Sequence, residues 1–204
     1  MIGYDYPHLW EWERFDPARL LEVMHGFYAP WWIAGGWALD LWIGRQTRTH
    51  QDVDIAILRG DQHKLYEALS EWELYYATTD HRLLPLQPGQ WLEPPIHGVW
   101  IRQAHDAPWL CEFLLNEHDD TNWMFRLNPA VRMPLADIGS VASGRMPILV
   151  PEIVLLHKAH EGSAKDEADF RASVAHLTPS ARAWLLFALN RSAPNHPWAT
   201  ELRD

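Results

Sequence analysis

The sequence predicts an α+β protein, in which a mixed, mostly antiparallel sheet is flanked by helices and followed by a small C-terminal helical region. Three observations support this fold class. Apolar runs of strand length alternate with amphipathic segments of helical period through residues 1–149. Helical period alone continues beyond Pro151, and 48% hydrophobic with 22% charged residues is an ordinary globular composition. We therefore expect a mixed domain over 1–149 and a helical region over 150–204.

The elements of the first half follow from capping residues, glycines and period. Asp16 and Pro17 predict a helix start, because aspartate caps free N–H groups and proline is pre-formed for the first turn. Gly44 is typical of a helix end. Alternating acids and aliphatic residues over 51–58 predict a strand with one acidic face. In chain order we expect helix 17–27, strand 31–34, helix 37–43, strand 51–58, helix 61–72 capped by Asp61, and strand 73–77.

The second half begins with an irregular connection. Pro, Gly and Gln are concentrated over 78–97, which indicates a long loop or lid rather than core. Short apolar runs separated by polar turns then predict an antiparallel extension of the sheet. Beyond Pro151 the pattern becomes helical, and Thr178 is a helix cap. We expect strands over 99–102, 109–115 and 123–126, and helices over 151–160, 165–177 and 179–190.

Charge and cysteine content restrict the partners and the compartment. Lys and Arg number 17 against 27 Asp and Glu, and the resulting net charge of −10 disfavours nonspecific binding to a nucleic-acid backbone. The longest uncharged stretch, 26–39, is too short and interrupted to span a bilayer. The first residues lack the apolar region of a secretory signal, and the lone Cys111 cannot form an internal disulfide. We expect a cytoplasmic protein without nucleic-acid or membrane partners.

Two short motifs carry the chemistry. Asp52 and Asp54 lie two residues apart on a predicted strand, so their carboxylates would share a face and jointly bind one or two divalent cations. Solvated surface acids are the alternative. Gly35 and Gly36 lie at a strand-to-helix turn, where backbone N–H groups and the helix dipole can receive phosphate oxygens. A tight turn that needs glycine is the alternative there, but the combination of both motifs favours phosphate and metal binding.

The segment over 34–55, AGGWALDLWIGRQTRTHQDVDI, resembles the nucleotidyltransferases of the DNA polymerase beta superfamily, whose signature is a GG or GS turn, a helix and then D-x-D. It is more similar still to the aminoglycoside and lincosamide branch, with the pattern GGWA(I/L)D and then G-x-x-T-R-x-H-x-D-(I/V)-D. A looser similarity follows in P-E-x-x-L-L-x-K-A over 151–159 and K-D-E-A-D-F over 165–170. The matching positions are Gly35, Gly36, Trp37, Ala38, Leu39, Asp40, Gly44, Thr47, Arg48, His50, Asp52, Val53 and Asp54.

The resemblance implies a nucleotidyltransferase fold with 1–149 as its catalytic domain. It also implies transfer of a nucleoside monophosphate from a nucleoside triphosphate, ATP in our interpretation, to a hydroxyl group, with two Mg²⁺ ions bound by Asp52 and Asp54. A third catalytic carboxylate should lie on a neighbouring strand. Glu112 is our candidate for this metal-binding or proton-accepting role, because it interrupts an otherwise apolar strand; a solvent-facing Glu is the alternative. The rivals Glu117, Asp119 and Asp120 have the pattern of turn residues.

Four further residues acquire roles from the resemblance. Arg48 lies in the helix-to-strand connection, where it would neutralise the triphosphate together with Lys158 of the C-terminal helices. Surface cations in an acidic chain are the alternative for both. His50 would orient the catalytic carboxylates, and Asp40 would hold the arginine-containing connection in place. Packed or structural side chains are the alternative for these two.

The acceptor is expected to be a small hydroxylated molecule. An acidic chain with three acids in a single turn would attract a polycationic aminoglycoside. The aromatic, proline-rich stretch over 78–97 departs from the resistance enzymes, which leaves a lincosamide or another metabolite open. The alternative function is a nucleotidyltransferase-like antitoxin or protein-AMPylating regulator that acts on a protein partner. The additional C-terminal helices favour the small-molecule enzyme.

Overall fold

The computed structural model describes residues 4–5, by their backbone alone, and residues 11–203. Contacts between residues divide the described part of the chain into two compact units. The first comprises the described residues up to 31 together with 50–116, and the second comprises 32–49 together with 117–203. The boundary predicted near Leu149 falls inside the second unit, and the division into a 1–149 domain and a 150–204 region stays a prediction.

The strands of the described chain are short, and each of the six predicted strands is present, some with shifted bounds. Glu73–Ala77 has the predicted bounds, while the strand predicted over 51–58 begins only at Asp54. In chain order they are β1 (Tyr4–Asp5), β2 (Trp31–Ile33), β3 (Asp54–Leu58), β4 (Glu73–Ala77), β5 (Arg82–Pro85), β6 (Gly98–Arg102), β7 (Trp109–Asn116), β8 (Asn122–Phe125), β9 (Asn128–Pro134), β10 (Gly139–Val141) and β11 (Pro147–Leu149).

The first unit contains a mixed sheet in the order β1-β5-β4-β6-β7-β3. Its neighbouring strands are antiparallel except β7 and β3, which run parallel. Ile55, Ile57, Ile101, Cys111 and Phe113 are fully buried within these strands. The run of consecutively buried residues in β3 is typical of a strand covered on both faces.

The second unit combines short strands with most of the helices. Strand β11 pairs parallel with β2 and antiparallel with β10, and β8 pairs with β9 as a separate antiparallel hairpin. The helices of the described chain, over both units, are α1 (Pro17–Met24), α2 (Gly35–Ile43), α3 (Gln62–Ala68), α4 (Pro151–Glu161), α5 (Ala164–Ser173), α6 (Pro179–Ser192) and α7 (Trp198–Glu201). Helix α4 packs against α2, α5 and α6, and α6 also packs against β9.

Capping residues predicted the helix starts well. The Asp16 carboxylate accepts the Ala18 N–H at the start of α1, and the Thr178 hydroxyl accepts the Ala181 N–H at the start of α6. The prediction for Asp61 was wrong in its detail. A short 3₁₀ turn over Arg59–Asp61 precedes α3. The Asp61 carboxylate accepts a hydrogen bond from Lys64 rather than from a backbone amide at the start of the helix.

The connection over 78–97 is more ordered than its composition predicted. It contains strand β5, which pairs with β4, and its Leu83 and Leu92 are buried. The buried Arg59 donates hydrogen bonds to the carbonyl groups of Leu92 and Ile96. The prediction of an irregular connection rather than core was therefore wrong, because pairing with β4 and hydrogen bonds from Arg59, directly after β3, order the backbone of this segment.

No helix in the described part of the chain is long and apolar enough to cross a membrane.

Candidate functional site

The first unit holds all three predicted catalytic carboxylates, Asp52, Asp54 and Glu112. Asp54 is the first residue of β3, and Asp52 precedes the strand rather than lying within it. Both side chains are partly exposed, whereas the intervening Val53 is buried. The Val53 carbonyl accepts the Glu112 N–H at 2.9 Å, so the hydrogen-bond ladder between β3 and β7 continues to this point.

Glu112 lies directly opposite Asp54. The parallel pairing of β3 and β7 aligns these two residues at the same register position, and adjacent strands are separated by about 4.8 Å. Glu112 is partly exposed, while its neighbours Cys111 and Phe113 are fully buried. The predicted third carboxylate therefore lies on the strand next to the D-x-D motif.

The field of these carboxylates extends to a neighbouring thiol. Burial raises the pKa of Cys111 well above its usual range, and the negative charges of Asp54, Glu112 and Glu13 raise it further. Cys111 is fully buried, which agrees with the core role expected of a cysteine in an apolar strand.

The donor set suits a hard divalent cation. Carboxylate oxygens are the ligands that Mg²⁺ prefers in proteins, and the pairing of β3 with β7 brings two of them to one register position. Within residues 4–5 and 11–203, no group of three or more His, Cys, Asp or Glu side chains is arranged so that it could hold a metal ion. The charge and oxygen chemistry of Asp52, Asp54 and Glu112 thus fit the metal, although their side chains do not converge on one point.

The second unit holds the predicted phosphate-binding glycines. Helix α2 begins at Gly35, two residues earlier than expected, so Gly35 and Gly36 form its first turn. Gly35 has φ 58°, a left-handed conformation that favours glycine. Ala34 precedes the helix and offers no capping side chain, and the first turn contains no acid. The N–H groups of a helix start are free of intrahelical partners and attract anions, so this turn is suited to phosphate oxygens.

Asp40 contacts the connection that follows α2. Its buried carboxylate accepts a hydrogen bond from the Thr47 hydroxyl at 2.5 Å. Its carbonyl accepts the N–H groups of Gly44, which closes the helix with φ 84°, and of Arg45. These bonds fix the turn from which Arg48 projects.

Arg48 and Lys158 meet on one aspartate. The Arg48 guanidinium donates to both carboxylate oxygens of Asp169, at 2.7 and 2.8 Å. The Lys158 ammonium lies 2.7 Å from Asp169 and 2.9 Å from Asp166. The side chains of Lys158, Asp166 and Asp169 are only 7%, 0% and 2% exposed, so the alternative of a surface lysine is wrong.

The pKa values in this cluster favour the charged forms. Burial alone would raise the pKa of Asp169, but hydrogen bonds and charges from Arg48 and Lys158 lower it on balance. Burial alone would likewise lower the pKa of Lys158, and its two aspartates raise it instead. The hydrogen bond to Asp169 is the main cause of the raised pKa of Arg48. The cluster is a neutral set of two cations and two anions.

His50 and Asp119 lie in connections rather than within strands. His50 precedes β3 by several residues, and its role in orienting the carboxylates stays a prediction. Asp119 accepts the backbone N–H groups of Thr121 and Asn122, which lower its pKa to about 2. It also pairs with Arg132 at 2.7 Å. Asp119 thus stabilises its own turn, as a residue of turn type should.

Sequence reasoning gave no role to three residues that contact predicted site residues. Asp166 and Asp169 were noted only as part of K-D-E-A-D-F, although their spacing of three places both on one face of a helix. Gly98 begins β6 beside the Glu112 side chain. The available signal was a glycine within a β-rich segment, which often indicates a close approach by another group.

Comparison with known sequences supports the resemblance seen in the motifs. A family model described as aminoglycoside-2''-adenylyltransferase matches residues 18–87. Curated 2''-aminoglycoside nucleotidyltransferases from Klebsiella pneumoniae and Escherichia coli are 37% identical to this chain over 73 residues. That alignment covers 31% of this chain and 41% of each relative. The chain therefore spans less than half the length of the curated relatives that it matches.

Solved structures extend the likeness to most of the chain. The antibiotic-resistance factor ANT(2'')-Ia, in complex with adenylyl-2''-tobramycin, has a TM-score of 0.58 at 16% identity, over 86% of this chain and 96% of that one. The lincosamide antibiotic adenylyltransferase LnuA, with lincomycin bound, has a TM-score of 0.52 at 18% identity, over 78% and 95%. At these identities the likeness concerns the fold, and the predicted nucleotidyltransferase fold is confirmed.

Proposed function

We propose that this chain is a metal-dependent nucleotidyltransferase, which moves AMP from ATP to a hydroxyl group of a small, aminoglycoside-like molecule and releases pyrophosphate. The observation that carries the proposal is the register between β3 and β7, which sets Glu112 opposite Asp54. The family-model match over 18–87 and the curated relatives support the same reaction class.

Asp52, Asp54 and Glu112 are the residues that we propose bind two Mg²⁺ ions. Three carboxylates carry enough negative charge for divalent cations, and none of the three residues is fully buried. When bound, the ions would polarise the reacting phosphate and neutralise the triphosphate. An amide at position 52 or 54 lacks the charge to replace these ligands.

The reaction itself is an in-line displacement. The acceptor hydroxyl oxygen forms a bond to the α-phosphorus, while the bond from that phosphorus to the oxygen bridging to the β-phosphate breaks, and pyrophosphate leaves with the electron pair. The Glu112 carboxylate is the group that we propose takes the proton of the hydroxyl. His50 would orient the neighbouring carboxylates.

Backbone and cationic groups of the second unit are proposed to bind the triphosphate. Gly35 and Gly36 form the first turn of α2, to which Ala34 contributes no capping side chain. Arg48 keeps 23% of its side chain exposed while Asp169 fixes its orientation. Lys158 is included because its place in the C-terminal helix motif matches the resemblance. Its buried contacts with two aspartates favour an indirect contribution, through the orientation of Asp169, which in turn holds Arg48.

An aminoglycoside is the acceptor class that the charge of the chain favours. These molecules carry several ammonium groups, and a net charge of −10 produces a field that attracts them. Asp119 is already engaged by its own turn and by Arg132. We therefore assign steering to the overall field rather than to this side chain.

The test is pyrophosphate release with ATP, GTP, CTP and UTP, each with Mg²⁺, across aminoglycosides, lincosamides and simple amino sugars, with mass spectrometry of the products. We expect an aminoglycoside heavier by one AMP. Metal-dependent nucleotide binding without any small-molecule adduct would contradict the acceptor assignment and direct the search to a protein acceptor. Absence of both binding and pyrophosphate release would contradict the enzyme assignment.

A further inference from the structure

Strand β6 begins with a glycine whose missing side chain leaves space for Glu112. A β-carbon added at Gly98 would lie 2.2 Å from Oε1 of Glu112 and 3.3 Å from its carboxyl carbon. Carbon atoms in favourable contact are about 3.5–4.0 Å apart. The Glu112 carboxylate therefore occupies the volume that any other residue at position 98 would fill.

The backbone does not explain this glycine. Gly98 does not have a left-handed φ, in contrast to Gly35, Gly44 and Gly89. Any residue can adopt its strand conformation, and glycine weakens a strand interior because it contributes no side chain. The requirement at position 98 is therefore for space.

The second neighbour of Glu112 on β6 has a large side chain, in contrast to Gly98. Trp100 stands directly opposite Glu112 and Gly98 lies on the diagonal. Trp100 is buried and packs against Trp12 and Trp109, with ring centroids 4.6 and 5.5 Å apart. These rings fill the space beside Trp100, so the Glu112 side chain extends over Gly98 instead.

We propose that Gly98 is a positioning residue for the catalytic carboxylate of Glu112. The proposal rests on the proposed function, since it gives a role to the residue assigned there as metal ligand and base. Trp100 blocks one direction and Gly98 opens the other. The pair thereby sets the direction in which the Glu112 side chain leaves β7, over β6 and beside Gly98.

The first variant is Gly98→Ala, with Gly26→Ala as the matched control. The added β-carbon would clash with Oε1 of Glu112, which lies at the end of a flexible side chain. We therefore expect the melting temperature to stay within a few degrees of wild type while the Glu112 side chain rotates away. Displacement of a catalytic group by about 1 Å can cost 100-fold in rate, and we expect kcat to fall at least tenfold with KM for ATP changed less than threefold. At Gly26 the added carbon would lie 3.8 Å from the Ala68 carbonyl oxygen, an ordinary contact, and no change is expected.

A double-mutant cycle separates a role through Glu112 from general damage. In the Glu112→Gln background the residual rate should fall by less than twofold on adding Gly98→Ala, because the group that Gly98 positions is already lost. Equal losses in both backgrounds would overturn the proposal, as would a Gly98→Ala enzyme within twofold of wild type. If Gly98→Ala does not fold, the double variant Gly98→Ala with Glu112→Asp provides the test. A cooperative thermal melt restored in this double variant would support the proposal, and a double variant that also fails to fold would overturn it.

A readout without turnover distinguishes this inference from the proposed function. Mn²⁺ titration of the nucleotide-free protein should show at least fivefold weaker binding in Gly98→Ala than in Gly26→Ala, and a crystal structure should show the Glu112 carboxylate moved. If wild type transfers no nucleotide, the proposed function fails while these two measurements still decide whether Gly98 positions Glu112. An unmoved carboxylate would overturn the inference even in an active enzyme.

Discussion

Acidic side chains occupy two different environments in this chain. In the first unit, Asp54 and Glu112 remain partly exposed at matching positions of parallel strands. In the second unit, Asp166 and Asp169 are buried and bound to cationic side chains. Burying a carboxylate is costly unless protein cations neutralise it, so the buried pair is committed to structure. The first pair is only partly buried, and the contrast separates the acids that we propose for chemistry from the acids that stabilise the fold.

The largest effect should come from substitutions of the partly exposed acids Asp52 and Asp54, which we expect to lower activity without lowering stability. We expect Asp54→Asn and Asp52→Asn to lower the transfer rate by at least 1,000-fold, about 4 kcal/mol, because an amide cannot supply the charge of a metal ligand. The thermal melt should stay within about 2 °C of wild type, since these side chains are partly exposed. Asp106→Asn, at an exposed turn between β6 and β7, is the control for the same change of charge. Full activity in either aspartate variant would show that the site is misplaced.

The buried acids should show the opposite pattern. Asp169→Ala leaves the buried Lys158 and the guanidinium of Arg48 without their shared carboxylate, and breaking a buried ion pair in this way costs about 3–5 kcal/mol. Urea denaturation measures the loss of unfolding free energy. Asp137→Ala, an exposed aspartate of the same unit, should change it by less than about 0.5 kcal/mol. A loss below about 1 kcal/mol for Asp169→Ala would mean that the cluster contributes little to stability.

The same cluster predicts an acid limit to stability. The pKa values of Asp166 and Asp169 are lowered in the folded chain. Their contribution is therefore complete above the unfolded value of about 3.9 and is lost as the pH falls through the lower folded values. We expect the unfolding free energy to decrease below about pH 4, less steeply in Asp169→Asn than in wild type. Parallel curves for the two proteins between pH 2 and pH 6 would assign the acid limit to other groups.

Local signals explain which parts of the fold were predictable. Helices that begin with a cap and a proline, as at Asp16 and Thr178, were located from the sequence because the cap chemistry is local. Strands β9, β10 and β11 were not predicted. Strand β9 contains Pro129 and Pro134, β11 begins with Pro147, and β10 and β11 are three residues long, too short to show a period.

The candidate site residues could be chosen from the sequence, whereas their pairings could not. Glu112 could be chosen because it is the one charged residue in the apolar run of β7. Its alignment with Asp54 depends on the register of two strands that are distant in sequence, which local patterns do not encode. Asp169 was missed for a related reason. A charged helix start such as K-D-E-A-D has the pattern of a solvated surface, and only the packing of α4 against α5 reveals the buried lysine that it binds.

The smallest effect should come from the serine that supports the buried acids. Ser163 caps α5, with its hydroxyl donating to Asp166 and accepting from the Asp166 N–H, while the Asp166 carboxylate accepts the Ser163 N–H at 2.9 Å. We expect Ser163→Ala to cost about 1 kcal/mol of unfolding free energy, the usual value of a lost cap, because Lys158 still binds Asp166. Activity should be unchanged at a temperature where both proteins are folded. A loss as large as that of Asp169→Ala would show that the serine, rather than the lysine, makes the burial of Asp166 tolerable, and the contrast between the two acidic regions would then rest on a neutral partner.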